Sequence, residues 1–149
     1  IRRIVDNDDM VAALVRFENG VRGHIGASRV TWGKKCGLTW EIQGTTGTIC
    51  YDQERLNEIR LFTKSENLAT DGFKTILTGP YHQPYESFLP NGGHSLGYMD
   101  VKICELHELL SSIRTDSNVW PDFSAGLKIE KVMDAVDRST QTGGWENVE

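Results

Sequence analysis

Trp40-Glu41-Ile42-Gln43-Gly44-Thr45-Thr46-Gly47-Thr48-Ile49-Cys50-Tyr51-Asp52 sets a glycine-threonine segment between two apolar stretches. As a phosphate cradle it would make the chain a nucleotide-binding domain; as a turn it joins two strands of a sheet. A dinucleotide fingerprint needs G-x-G-x-x-G at a strand-to-helix junction, where bare backbone and a helix N-terminus bind the pyrophosphate together. A P-loop needs a lysine after its last glycine. Gly47 is followed instead by strand-forming Thr48-Ile49-Cys50-Tyr51, with neither helix nor lysine. The segment reads as a tight β-turn, in which glycine supplies backbone angles that other residues resist.

Working outward, Leu38–Gln43 alternates strictly, with Leu38, Trp40 and Ile42 on one face and Thr39, Glu41 and Gln43 on the other. That period of two is a strand. Thr48–Tyr51, Glu58–Thr63 and Phe73–Leu77 read as three more. Upstream, Met10–Phe17 is apolar on both faces and runs into Asn19-Gly20, a pair suited to a type I′ hairpin. A long partner strand follows over about Val21–Trp32, with Val21, Gly23, Ile25 and Ala27 on a small apolar face and Arg22, His24, Gly26 and Ser28 on a mixed one. The opening Ile1–Asp9 reads as the run-in to a strand. It has no initiator Met, which fits a processed terminus or an excised fragment.

Downstream, 78–93 carries Pro80, Pro84, Pro90 and paired glycines and is a long irregular connection of the kind that often serves function. The periodicity then turns helical. Leu96, Met99, Ile103, Leu106, Leu110 and Ile113 form one apolar stripe on a helix that Ser95 could cap. A second helix starts near Pro121-Asp122, capped by Asp122 or Ser124, aligns Ala125, Ile129, Val132, Met133 and Val136, and ends at Gly143-Gly144. Trp145–Val148 reads as a short returning strand. Strands first and helices last is the pattern of an α+β domain: a largely antiparallel open sheet with helices packed on one face and the other face free for self-association.

The 149 residues fit a single domain, 1–149, long enough to bury a core. The net charge of -5 and the absence of a basic stripe argue against nucleic acid as partner. No apolar run approaches the roughly 20 residues that span a bilayer. Cys36, Cys50 and Cys104 are odd in number and lack zinc-type spacing, so they read as reduced thiols of a cytoplasmic protein, structural and not catalytic. His24, His82, His94 and His107 form no metal-binding spacing. His24 and His107 fall within regular elements, whereas His82 and His94 lie in the irregular connection, where His94 is the better candidate to face a ligand. Ser28–Lys35 (SRVTWGKK) ends a strand with Arg29, Trp32, Lys34 and Lys35, donors beside an aromatic wall that would suit a sugar-like or anionic ligand.

The order of these motifs, DDMVAALVRFENGVRGHIGASR, the G-T-x-G turn followed by Thr-Ile, GHSLGYMDVKICELHELLSSI and PDFSAGLKIEKVMDAVDRSTQTGGWENV, resembles the C-terminal portion of the Gfo/Idh/MocA oxidoreductases over nearly the whole chain. The resemblance implies a fold like the C-terminal domain of dihydrodipicolinate reductase. It also implies a parent protein whose N-terminal Rossmann domain, absent from this chain, binds NAD or NADP. Members oxidise or reduce a hydroxyl or carbonyl on sugars, inositols and related polyols, and oligomerise through the open sheet.

The family's E-K-P lysine and its later Asp and His have no match here, so no catalytic, cofactor-binding or metal-ligating residue is expected in this chain, and the isolated fragment is expected to be inactive. By position after ASR, Trp32 falls where members place an aromatic near the substrate pocket, with Arg29, Lys34 and His94 as candidate substrate-binding neighbours. Two other readings stay open: a free-standing dimerisation or interaction domain, and a small-ligand module using Arg29, Trp32 and Lys34.

Overall fold

The computed structural model describes residues 4, 7–67 and 69–149, which divide between two compact units, Ile1–Gly33 with Trp120–Glu149 and Lys34–Val119. Most of the run-in expected over Ile1–Asp9 lies outside the described residues.

In the first unit, strands β1 (Met10–Arg16) and β2 (Arg22–Ser28) form an antiparallel hairpin. Its register pairs Val11 with Ala27, Ala13 with Ile25 and Val15 with Gly23 on one face, and Leu14 with His24 on the other. Val11, Ala13 and Val15 are half-buried while Met10 and Leu14 are exposed, so the small apolar face read from β2 is the inward one. Only Gly20 in the turn has positive φ, at 86°, and Phe17 N–H donates to Val21 O at 2.8 Å. The link is thus longer than the expected type I′ turn, with Gly20 in the left-handed region that the larger loop requires. β2 also ends at Ser28, short of Trp32: beyond it, the last hairpin bond runs from Arg29 N–H to Asp9 O, 3.0 Å, and Val30 N–H turns to Ser28 Oγ.

Helix α1 (Tyr98–Thr115) belongs to the second unit, and α2 (Phe123–Thr142) completes the first. Asp122 caps α2, its carboxylate accepting from Ala125 N–H at 2.9 Å, and Gly143 at φ 70° ends it, both as expected. Ala135 is buried and Val132 and Val136 half-buried on its inner face. The expected strand at Trp145–Val148 is not one. Arg138 on α2 holds that segment as coil, donating to Asp134 Oδ2 at 2.9 Å, Glu146 Oε2 at 3.3 Å and Asn147 O at 2.9 Å. The Arg16 guanidinium also lies over the Trp145 ring, 5.6 Å from its centroid.

In the second unit, β3 (Thr39–Gln43), β4 (Gly47–Asp52), β5 (Glu58–Thr63) and β6 (Lys74–Leu77) run as an antiparallel meander in chain order. The opening segment is the β3–β4 hairpin: Gly44 N–H donates to Gly47 O at 2.8 Å, and Ile42 pairs with Ile49 and Trp40 with Tyr51. The Trp40 and Tyr51 rings stack at 5.6 Å. One sheet face therefore carries Trp40, Ile42, Ile49, Tyr51, Leu61 and Ile76, and the other Glu41, Cys50 and Arg60.

α1 starts two residues later than a Ser95 cap implies. Gly97 is its N-cap, and Leu96 lies before the helix, buried, with its backbone bound to Asn57. The rest of the α1 stripe, Met99, Ile103, Leu106, Leu110 and Ile113, is more than half exposed.

Candidate functional site

A broad concave feature lies within the first unit, between the inner face of β1–β2 and α2. Its volume is about 900 Å³. Val11, Ala13, Ile25 and Ala27 from the hairpin face Ile129, Val132, Met133 and Val136 from α2, and Asp8, Asp9, Arg29, Lys128 and Asp137 add charges to the lining. The alternation of β1 and β2 and the helical spacing of α2 place these residues together: every second strand position and every third or fourth helix position turns inward. A polyol needs a polar partner for each hydroxyl that it buries. Here those partners are Asp8, Asp9, Ser28, Arg29, Lys128, Asp137 and Thr140, set among apolar walls.

Of the four residues read as substrate-binding, Arg29 alone lines this cavity. Trp32 lies in the same unit beyond the end of β2, 98% exposed. Lys34 and His94 belong to the second unit, where they share no hydrogen bond. The Lys34 stem is folded over its own loop, Cδ 3.1 Å from where a Cβ on Gly37 would stand. His94 is exposed, its Nδ1 3.1 Å from Asn91 O. No cluster of metal-ligating side chains occurs among the described residues, and no helix there is long and apolar enough to cross a membrane.

The groups that organise the loops are ones the sequence reading did not single out. Asn57 accepts from Leu96 N–H (2.7 Å) and Thr78 Oγ1 (3.1 Å) and donates to Leu96 O (2.9 Å), tying both ends of the 78–97 connection to the start of β5. Glu54 Oε1 likewise accepts from Lys35 N–H at 2.6 Å and Cys36 N–H at 3.3 Å, pinning the Lys34–Gly37 loop. These partners lie 18 to 39 residues apart in sequence, so no local pattern could have revealed them.

The glycine segment does not form a dinucleotide cradle. Gly44–Gly47 is a closed hairpin turn, and the two helix N-termini, which could otherwise hold phosphate, are taken by the chain's own carboxylates. Asp100 Oδ2 accepts from Gly97 N–H at 2.7 Å on α1, and Asp122 occupies α2. The Ser124 hydroxyl and then the Ala125 N–H hold the Asp122 carboxyl below its ordinary range, so it stays an anion where a phosphate would need to sit.

Cys50 donates its thiol to Glu41 Oε2 at 3.3 Å across β3–β4. Burial, then this bond to a carboxylate, pushes the Cys50 thiol up and keeps it protonated. Cys36 is exposed. Alkylation with iodoacetamide at pH 8, followed by peptide mass mapping, is expected to label Cys36 well before Cys50; the reverse order would contradict the hydrogen-bonded thiol.

Comparison with known proteins places this architecture. Residues 2–148 match the model of an oxidoreductase family, over what is described as its C-terminal α/β domain. The chain is 34% identical over 144 residues to levoglucosan dehydrogenase of Pseudarthrobacter phenanthrenivorans, covering 97% of this chain and 37% of that protein. Among solved structures, levoglucosan dehydrogenase in complex with NADH aligns with a TM-score of 0.93 at 34% identity, over 97% of this chain and 39% of its own. An NAD-binding oxidoreductase from Klebsiella pneumoniae aligns with a TM-score of 0.90 at 39% identity, over 99% of this chain and 40% of its own. The chain thus spans about two-fifths of the length of these relatives.

Proposed function

The chain belongs to the Gfo/Idh/MocA oxidoreductase family, as its C-terminal α/β domain, and from that membership we propose that it is the substrate-side and oligomerising part of an NAD(P)-dependent oxidoreductase acting on a sugar, inositol or related polyol. The match over residues 2–148 carries this reading. The cofactor and the catalytic acid/base belong to an N-terminal Rossmann domain of the parent protein. The coverage of the relatives supports that division. NAD is the better supported nucleotide, since two relatives are described with NADH or NAD.

Within this chain, Arg29, Trp32, Lys34 and His94 are the residues proposed to meet the substrate. The support is their solvent-facing placement: an almost fully exposed Trp32 has no packing role within the first unit and is free to stack on a sugar ring. Self-association is proposed through the four-stranded sheet, where Trp40, Ile42 and Ile76 remain more than a third exposed on one face.

The test is direct. The parent protein, given NAD or NADP with levoglucosan and a panel of other sugars and inositols, is expected to form reduced cofactor, followed at 340 nm. The 149-residue chain alone is expected to form none. Turnover by the chain alone would overturn the division of labour, and a parent protein inactive on every polyol would overturn the substrate class.

A further inference from the structure

The 78–97 connection carries two histidines whose ring protons are set by partners of fixed polarity. Gly79 N–H donates to His82 Nδ1 at 3.2 Å, and a backbone N–H can only donate. His82 Nδ1 is therefore bare, and the ring's proton sits on Nε2. His94 is the opposite case: its Nδ1 lies 3.1 Å from Asn91 O, which can only accept. The proton of His94 is on Nδ1, and Nε2 of the neutral ring presents a lone pair. Both residues are exposed, and among the described residues no protein group bonds either Nε2. One connection thus offers a preset donor, His82 Nε2–H, and a preset acceptor, His94 Nε2.

The two rings spring from turns held on one frame. Thr78 Oγ1, next to Gly79, and Leu96 N–H, two residues after His94, donate to the same atom, Asn57 Oδ1, at 3.1 and 2.7 Å. The turns also meet through their glycines: a Cβ on buried Gly79 would stand 3.8 Å from Gly92 Cα.

We propose that His82 and His94 are a paired site for two hydroxyls of an uncharged polyol, His82 Nε2–H donating to one and His94 Nε2 accepting from the other. This rests on the reading above of the parent protein as a polyol oxidoreductase, and it adds His82 to the residues that meet the substrate. A sugar hydroxyl both donates and accepts, whereas a carboxylate only accepts and a lysine only donates. A donor held beside an acceptor serves both halves, and tautomers set in advance spare the ordering cost of binding. The 78–97 connection holds no Lys or Arg, and its one acidic residue is Glu86. A phosphate or carboxylate ligand would find no cation there and would face the His94 lone pair; an uncharged polyol meets no such repulsion.

The experiment uses the parent protein with isotope-labelled histidine at pH 8, the two rings being assigned by their loss in His82→Asn and His94→Asn. Each substitution keeps its turn, because the Asn amide supplies Oδ1 to Gly79 N–H, or Nδ2–H to Asn91 O, where Nδ1 stood. Only the outward Nε2 is removed. Long-range proton–nitrogen correlation spectra are expected to place the proton on Nε2 of His82 and on Nδ1 of His94. Both Nε2 signals are expected to shift when the polyol that the protein oxidises is added with NADH, which blocks turnover. Each Asn variant is expected to raise KM for that polyol roughly three- to tenfold, the effect of one lost hydrogen bond. The same tautomer in both rings, a response at one Nε2 or at neither, an unchanged KM in either variant, or a lower KM for a sugar acid than for its parent sugar would overturn the proposal. In each of those cases turnover of a polyol leaves the functional reading standing. Turnover of no polyol would overturn both, so the two failures are told apart.

Discussion

Gly47→Ala is expected to destabilise the protein by about 2–3 kcal/mol, the upper range for forcing extra atoms into a packed position. A Cβ at residue 47 would stand 2.5 Å from Phe62 O, a backbone atom of β5 that cannot move without shifting its strand. Gly47 pairs with Thr63 in the β4–β5 register, so relief of the clash would open the sheet where the β3–β4 hairpin joins it. Gly44→Ala is the control. Its nearest atom would be Gly47 O at 3.5 Å, ordinary contact, and the change is expected to stay within about 0.5 kcal/mol. Urea titration followed by circular dichroism would show the Gly47 variant's midpoint lowered by roughly 1–2 M at a slope of 1–3 kcal/mol per M, with the Gly44 variant close to the parent. Equal midpoints for the two variants would refute the close-approach account of Gly47.

Asn57→Ala is expected to have a comparable effect by a different route. It removes three side-chain hydrogen bonds, to Leu96 N–H, Leu96 O and Thr78 Oγ1, and leaves the backbone groups of buried Leu96 without partners. An orphaned buried polar group costs about 1–3 kcal/mol, and the lost bonds bring the expected total to about 2–4 kcal/mol. Asn57→Asp keeps the two acceptor contacts, loses the donor to Leu96 O and is expected to fall between. Under the proposed function, in which His94 meets the substrate, the Ala variant of the parent protein is also expected to raise KM for a polyol more than it lowers kcat, because Asn57 ties down the connection that carries His94. A variant with an unchanged urea midpoint would show that Asn57 does not anchor the connection.

These two residues mark how far the chain could be read before it was folded. Gly47 stood in a recognisable pattern: two alternating segments around Gly-Thr-Thr-Gly can only be a hairpin when no helix follows, and β3, β4 and β5 fall within a residue or two of where their periodicity put them. Asp122 and Gly143 likewise announced the ends of α2, because capping chemistry is local. Asn57 gave no such signal. Its partners lie 21 and 39 residues away, and nothing in Leu56-Asn57-Glu58 distinguishes an anchor from a turn residue. The Trp145–Val148 strand failed for a related reason: Arg138 captured that segment's polar groups, and a side chain seven or more residues away is invisible to a period-two reading.

The candidate site divides in the same way. Arg29, Trp32, Lys34 and His94 were legible as residue types suited to a polyol, but their grouping was an inference from nearness in sequence and from family resemblance. The structure puts Arg29 at the lining of a cavity and leaves Trp32 98% exposed. What the sequence alone determined was most of the elements and their polarity, the Trp145–Val148 strand excepted, because period, caps and turns are set by a few neighbouring residues and act at short range. What only the tertiary structure decided was which apolar faces are covered. The open stripe of α1 and the open walls beneath β1–β2 depend on contacts between distant parts of a polypeptide, and no local propensity encodes those.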